Sequence, residues 1–312
     1  MAKYLDPKAD LTFKKVFGEH PDLVISLLNA LLPFKTKEEE ITDVTYLQPE
    51  MVPENPWRKN SIVDVRCRDG RGRQFIVEMQ MLWSEEFMQR VMFNSAKAYV
   101  RQLEQGEKYE LLEPVYSLNL VNEVFEKDIP EYYHYYRMVH EMYSERVIDG
   151  LHLVFVELPK FKPHTMTEKK MHVLWLRYLT EIEEKTREVP KELLDNREIR
   201  KALTIVEESA YSPEQLLGYE KFWDIISTEK TFISSALRKG LAEGMEKGLA
   251  EGIEKGLAEG LAEGRAEGIE KGRAEGEQSK ALDIARNLKT IGICNADIMK
   301  TTGLTEEEIN NL

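Results

Sequence analysis

The first 160 residues of this chain predict an α/β fold. Apolar side chains recur at helical spacing in residues 22–32 and again in 84–105. Between and beyond those stretches lie short β-branched and aromatic runs bounded by turn formers. Two periods alternating along one chain are the pattern of helices packed on a sheet.

Each element follows from its residues. Residues 22–32 place Leu23, Ile25, Leu27, Leu28 and Leu31 on one helical stripe, and Pro33 stops it. Residues 41–47 are expected to form a first strand. Residues 61–67 and 74–80 read as an antiparallel hairpin, because Asp69, Gly70 and Gly72 between them are turn formers. Ser84 is the expected N-cap of a helix that runs to about Gln105, with Gly106 as its stop. Residues 114–121 and 151–158 are expected to be further strands.

The hairpin carries the chemistry. With its turn centred on Arg71, Asp64 and Glu78 lie equally far from the turn and face each other on one side of the sheet. Opposed carboxylates, with Cβ atoms about 4.5–5.5 Å apart, repel and weaken a sheet. A divalent cation held by hard oxygen ligands resolves that repulsion. The plainer alternative is a half-solvated hairpin whose outward face carries acids, with Phe75, Val77 and Met79 inward and Ile76, Glu78 and Gln80 outward. Val63, Val65, Ile76 and Val77 flank both acids, which favours strands covered on both faces. Residues 57–73 also hold six cations (Arg58, Lys59, Arg66, Arg68, Arg71, Arg73) against Asp64 and Asp69, in a chain of net charge −13. Acids inside a basic run are what a metal-dependent phosphodiesterase requires: the acids hold the ion and the arginines hold the polyanion.

At these residues the chain resembles the PD-(D/E)XK nuclease superfamily, and within it the Rpn family of recombination-promoting nucleases and transposases. The matching features are Asp10-Leu11-Thr12-Phe13-Lys14-Lys15-Val16-Phe17-Gly18, Asp64, Phe75-Ile76-Val77-Glu78-Met79-Gln80, the helix from Gln89-Arg90 to Gln102-Leu103, Tyr109 and Pro114-Val115. The likeness covers residues 4–125 well and extends more weakly to about 230. It implies a restriction-endonuclease-like core with a mixed sheet, acting on DNA. It further implies that Asp64, Glu78 and the backbone carbonyl of Met79 ligate Mg²⁺ or Mn²⁺. Gln80 stands where the superfamily pattern has lysine. It can hydrogen-bond a water but brings no charge. A lysine from elsewhere, Lys14, Lys15 or Lys97, is then needed to supply it. Lys14, Lys15, Arg66, Arg68, Arg71, Arg73, Arg90 and Lys97 are the expected DNA contacts. Arg90 and Lys97 share a helix face, which either meets the acids and phosphate or is simply solvated.

Composition bounds the rest. The 312 residues are 42% hydrophobic and 9% aromatic, enough for a substantial core. No signal peptide and no membrane span are expected, since no apolar run approaches ~18 residues. Cys67 and Cys294 suit a reducing cytoplasm, and neither they nor the six histidines have zinc spacing. Four parts are expected: a nuclease-like core at 1–160, a helical support region at 161–237, a repeat at 238–278 and a small helix-turn-helix-like module at 279–312. Tyr132, Tyr133, Tyr135 and Tyr136 are expected to pack between strands rather than stack on bases.

In the repeat a glycine recurs at every fourth position from Gly240 to Gly276, ten in all. At about 1 kcal/mol each, they cost an isolated helix roughly 10 kcal/mol. The tract is either a flexible spacer or a glycine-seamed helix that self-associates. In the last module Glu306, Glu307 and Glu308 would face phosphate, which favours a protein contact over DNA reading. The sequence therefore predicts a metal-dependent DNA endonuclease serving recombination or mobile-element activity, homo-oligomeric through its tail. The alternatives are a catalytically weak DNA-binding or phage-defence regulatory protein on the same fold, and an oligomeric scaffold built on the repeat.

Overall fold

The turn at residues 69–73 closes the expected hairpin in the expected register. In the computed structural model, which describes residues 3–52, 59–163 and 170–312, β4 (Val65–Arg68) pairs antiparallel with β5 (Gln74–Gln80). Val65 faces Val77 and Arg68 faces Gln74. Asp69 organises the turn by accepting the backbone N–H groups of Arg71 and Arg73 at 3.1 and 2.9 Å. Gly72, at φ +92°, takes the left-handed conformation the turn needs.

Around the hairpin grows a six-stranded mixed sheet in the order β1-β4-β5-β6-β8-β7, with β1 at Thr45–Tyr46, β6 at Val115–Val121, β7 at Tyr133–His140 and β8 at Tyr143–Glu157. The central strands β5, β6 and β8 run parallel, and the outer pairs are antiparallel. β2 (Glu50–Met51) and β3 (Ser61–Ile62) form a separate ribbon. On one face of the sheet Val65, Cys67, Phe75, Val77, Leu118, Leu120, Val154 and Val156 meet α1 (Asp10–Phe13), α2 (Pro21–Leu31) and α4 (Met171–Glu181). α5 (Lys191–Asp195) and α6 (Arg197–Ile205) close that layer. On the other face α3 (Glu86–Val100) packs Phe87, Val91 and Ala98 against Ile76, Val115, Val121 and Phe155. The result is a three-layer α/β/α core, the mixed-sheet arrangement expected of a PD-(D/E)XK nuclease fold.

Several boundaries differ from expectation, each for a local reason. The first strand is only Thr45–Tyr46, because the Asn29 side chain holds both backbone groups of Ile41 to α2, at 2.8 and 2.9 Å. The run 61–67 breaks at Val63–Asp64: the first part pairs with β2, and the Asp64 carboxylate, rather than its backbone, takes the next N–H of β5. α3 ends at Val100, where the Gln102 side chain turns to the backbone of Glu113. The tyrosine-rich segment is itself strand β7, at the edge of the sheet. Its pairing with β8 shifts register twice, at Arg137/Met138 and Val139/His140.

A second compact unit spans Ile233–Leu312. It holds the later part of α7 (Pro213–Thr290), α8 (Asn295–Thr302) and α9 (Glu306–Asn310). The glycine repeat is helical throughout, and a Cβ added at any of its ten glycines meets nothing within 4 Å. Ala285, Ile298, Leu304 and Ile309 form a small core after it. Gly303, at φ +73°, ends α8, and Thr305 with Glu308 forms a capping box on α9. Thr305→Ala is expected to cost about 1 kcal/mol locally. Amide hydrogen exchange in residues 297–312 should quicken about fivefold, with the first unit unchanged.

Candidate active site

β5 presents Ile76, Glu78 and Gln80 to the α3 side of the sheet, and that face organises the site. The β4 ladder stops at Val65–Val77, so beyond it Met79 has no strand partner on that side. Its N–H donates instead to Asp64 Oδ2 at 2.8 Å. A strand residue sends its N–H and C=O to the same edge, so the Met79 carbonyl also points toward Asp64. The Asp64 carboxylate and the Met79 carbonyl thus share the edge of β5 where β4 ends, and the charge of Asp64 is felt by Glu78.

Glu78 is buried, and Asn94 Nδ2 donates to its Oε1 at 3.1 Å. Burial first, and then the charge of Asp64, push the Glu78 carboxyl up to about 7, while Arg90 and Asn94 pull it back. Burial likewise raises Asp64, against the Met79 N–H and the Lys14 ammonium. Both acids therefore hold their protons more tightly than free carboxylates, as expected where burial outweighs the pull of the neighbouring cations.

Two cations stand at the acids. Lys14 Nζ lies 3.7 Å from Asp64 Oδ1 and 2.6 Å from Asp10 Oδ1. It opens a five-residue π-turn, Lys14–Gly18, whose end is anchored by the Tyr46 hydroxyl donating to the Phe17 carbonyl at 2.7 Å. Arg90, on α3, reaches Glu78 Oε2 at 3.6 Å and donates to Gln80 Oε1 at 2.6 Å. Gln80 in turn donates from Nε2 to the Leu82 carbonyl. Arg90 thus engages both the carboxylate and the amide of β5, and Lys14 brings a charge beside Asp64.

The remaining expected contacts are dispersed. Lys15 donates to the Ala210 carbonyl at 3.1 Å and sits 3.8 Å over the Tyr211 ring, away from the acids. Arg66 lies next along the Asp64 face, half-buried and donating to Gln74 at 2.8 Å. Arg68 and Arg71 reach solvent at the turn, about 13 Å or more along the strand from Glu78. Arg73 is buried there, paired with Asp69 at 2.8 Å and lying over Phe34 and Phe75. Lys97 donates to the carbonyls of Met51 and Lys59 and so ties α3 to the β2–β3 ribbon. Arg58, counted in the basic run, lies outside the described residues. Arg68, Arg71 and Arg73 of the charge run therefore lie at the turn rather than around the acids.

Asn94 and Asp10 join the site without an expected role. Both carry a readable signal: Asn94 is one helical turn beyond Arg90, and Asp10 one turn before Lys14.

Among the described residues no group of three or more His, Cys, Asp or Glu side chains could hold a metal. That does not exclude magnesium, which keeps several waters and commonly relies on one or two carboxylates plus phosphate oxygens. The Asp64–Glu78–Met79 donor set is all oxygen and fits such an ion.

A three-layer core with paired acids where β5 outruns β4 defines a protein of the PD-(D/E)XK nuclease class. Residues 7–236 match the family described as PD-(D/E)XK nuclease family transposase, and the chain belongs to that family. No curated protein and no solved structure matches it.

Proposed function

We propose that this protein is a Mg²⁺- or Mn²⁺-dependent DNA endonuclease that promotes recombination or mobile-element activity. The observation that carries the reading is the Asp64–Glu78 pair at the end of β4, both carboxyls raised by burial, with Lys14 at one acid and Arg90 at the other. Asp64, Glu78 and the Met79 carbonyl would hold the ion. When bound, it would lower the pKa of a coordinated water and offset charge on the phosphate. Gln80, whose amide is fixed by Arg90, would hydrogen-bond such a water. Lys14 supplies the positive charge that Gln80 lacks, and Arg90 with exposed Arg68 and Arg71 attracts the DNA backbone.

Among the described residues no helix is long and apolar enough to cross a membrane. We place the protein in the cytoplasm, where its free cysteines, buried Cys67 and exposed Cys294, stay reduced. Self-association is assigned to the repeat helix, whose Leu241, Met245, Leu249, Ile253 and Leu257 all face solvent in the single chain.

The test is conversion of supercoiled plasmid to open circle in Mg²⁺ or Mn²⁺, stopped by a chelator. Plasmid that is bound but cut in neither ion would refute the reading. It would favour the alternative of a DNA-binding regulator, to which the uncharged Gln80 points.

A further inference from the structure

The acids do not stand alone on their face of α3. Between that helix and β3 lies a cavity of about 370 Å³ whose lining includes Lys59, Ile62, Gln89, Arg90, Phe93 and Asn94. We propose that this cavity takes one unpaired nucleobase, so that the substrate is a DNA strand with a nucleotide free of its stack. The inference rests on the nuclease reading for its position in the reaction, but the binding it describes can be measured alone.

Four features point to that ligand. Phe93 on the helix and Ile62 on the strand are large apolar side chains in the cavity's lining, 46% and 65% exposed. The exposed Phe93 ring offers a planar ring a surface to stack on, beside the apolar Ile62, and a base stacked in duplex has no free face to offer it. The edges of the ring have readers as well. Among the described residues the Gln89 amide makes no hydrogen bond, and Asn94, 3% exposed, uses only its Nδ2 and leaves its Oδ1 free. An amide presenting both donor and acceptor matches the edge of any base.

The charges are suited to a nucleotide rather than to a neutral ring. Lys59 has no ion partner among the described residues, Arg90 stands at the seam with Glu78, and Lys97 Nζ lies 5.9 Å from the Phe93 centroid. Exposed Glu86 is the one acid among the lining side chains described. Finally, the cavity shares a wall with the acids of the site. Asn94 and Arg90 line it and also touch Glu78, at 3.1 and 3.6 Å. A base seated there brings its own phosphate to the carboxylates. Phe93 and Gln89 would then choose which strands can be cut without touching the reacting atoms.

The experiment uses the full chain with Ca²⁺ as the only divalent ion. Fluorescence anisotropy compares a labelled fifteen-nucleotide single strand with the duplex of the same length. The single strand is expected to bind at least tenfold more tightly. Phe93→Ala should lower that affinity about tenfold, the scale of one lost base-stacking contact, and leave duplex affinity unchanged. Phe93→Trp should retain it, with indole fluorescence quenched by the oligonucleotide. Equal affinity for the two DNA forms, or a Phe93→Ala effect that is absent or equal on both, overturns the pocket. The nuclease reading fails separately: single-strand preference that depends on Phe93, without cleavage in Mg²⁺ or Mn²⁺, keeps the pocket and removes the enzyme. Nicking of plasmid that ignores Phe93, with no strand preference, does the reverse. Absence of binding to either DNA form overturns the pocket.

Discussion

Glu78→Gln is expected to abolish cleavage and, in the same molecule, to stabilise the metal-free protein. The loss of activity should be roughly a thousandfold or more, the rate equivalent of the several kcal/mol that a bound metal supplies. The gain in stability follows from the raised carboxyl, which titrates at about 7 in the folded protein against an ordinary 4.5. A carboxyl raised in the folded state contributes stability that is full below about 4.5 and lost as pH rises through about 7. At pH 8 the wild type therefore carries a buried charge that Arg90 and Asn94 offset only in part, costing up to roughly 3 kcal/mol, and glutamine carries none. Urea unfolding in chelator should show wild-type stability falling from pH 5 to pH 8 relative to the variant. Added Mn²⁺ should reverse the order, stabilising the wild type alone. Cleavage should rise with pH through about 7, as Glu78 gives up its proton to accept the ion. A Glu78→Gln protein that cuts at the wild-type rate would end the metal-site reading.

Arg73→Ala is expected to cost about 3–5 kcal/mol, because it strands Asp69 as a buried charge without its partner. Asp69 would keep the two turn amides but lose both contacts from the guanidinium, Nε at 2.8 Å and the paired terminal nitrogen. Phe34 and Phe75 would lose the cation packed on them. Arg68 is exposed at the end of β4, so Arg68→Ala is instead expected to stay within about 0.5 kcal/mol. The arginine that matters less to folding is therefore the one free to meet DNA. Urea denaturation of the two variants, beside their DNA affinities at two salt concentrations, checks the division. An Arg73→Ala protein of wild-type stability and weakened, salt-sensitive DNA binding would show that the buried pair is not structural.

The hairpin is legible in the sequence because two independent signals agree on it. Turn formers fix the loop, and the period-2 pattern of Phe75, Val77 and Met79 fixes the faces, so only one register buries both strands. Helix α2 and strand β6 are legible for the same reason, and α3 by its period, though it ends at Val100, six residues before the expected stop at Gly106. What is not legible depends on contacts distant in sequence. Asn29 holding Ile41 removes most of the expected first strand, and no pattern within 41–47 announces it. Asp64 leaves the ladder because its side chain takes over a backbone bond from Met79, fifteen residues on. Sequence alone leaves three lysines open as the source of the missing charge. Only the π-turn, anchored by Tyr46, brings Lys14 to Asp64, while Lys15 turns to Tyr211 and Lys97 to the β2–β3 ribbon. Sequence neighbours of an acid are not its spatial neighbours once a strand has carried them away from it, which is why the basic turn lies at the far end of the hairpin.

The two slips in pairing between β7 and β8 bear on solubility. β7 ends the sheet, and Tyr136, Met138 and Val139 along it are exposed. A flat border with those side chains would recruit further chains into stacked fibrils. Irregular pairing at Arg137/Met138 and Val139/His140 twists and bends the border within eight residues, so a straight newcomer finds its amides out of step. The outermost strand can thus stay greasy without becoming a seed.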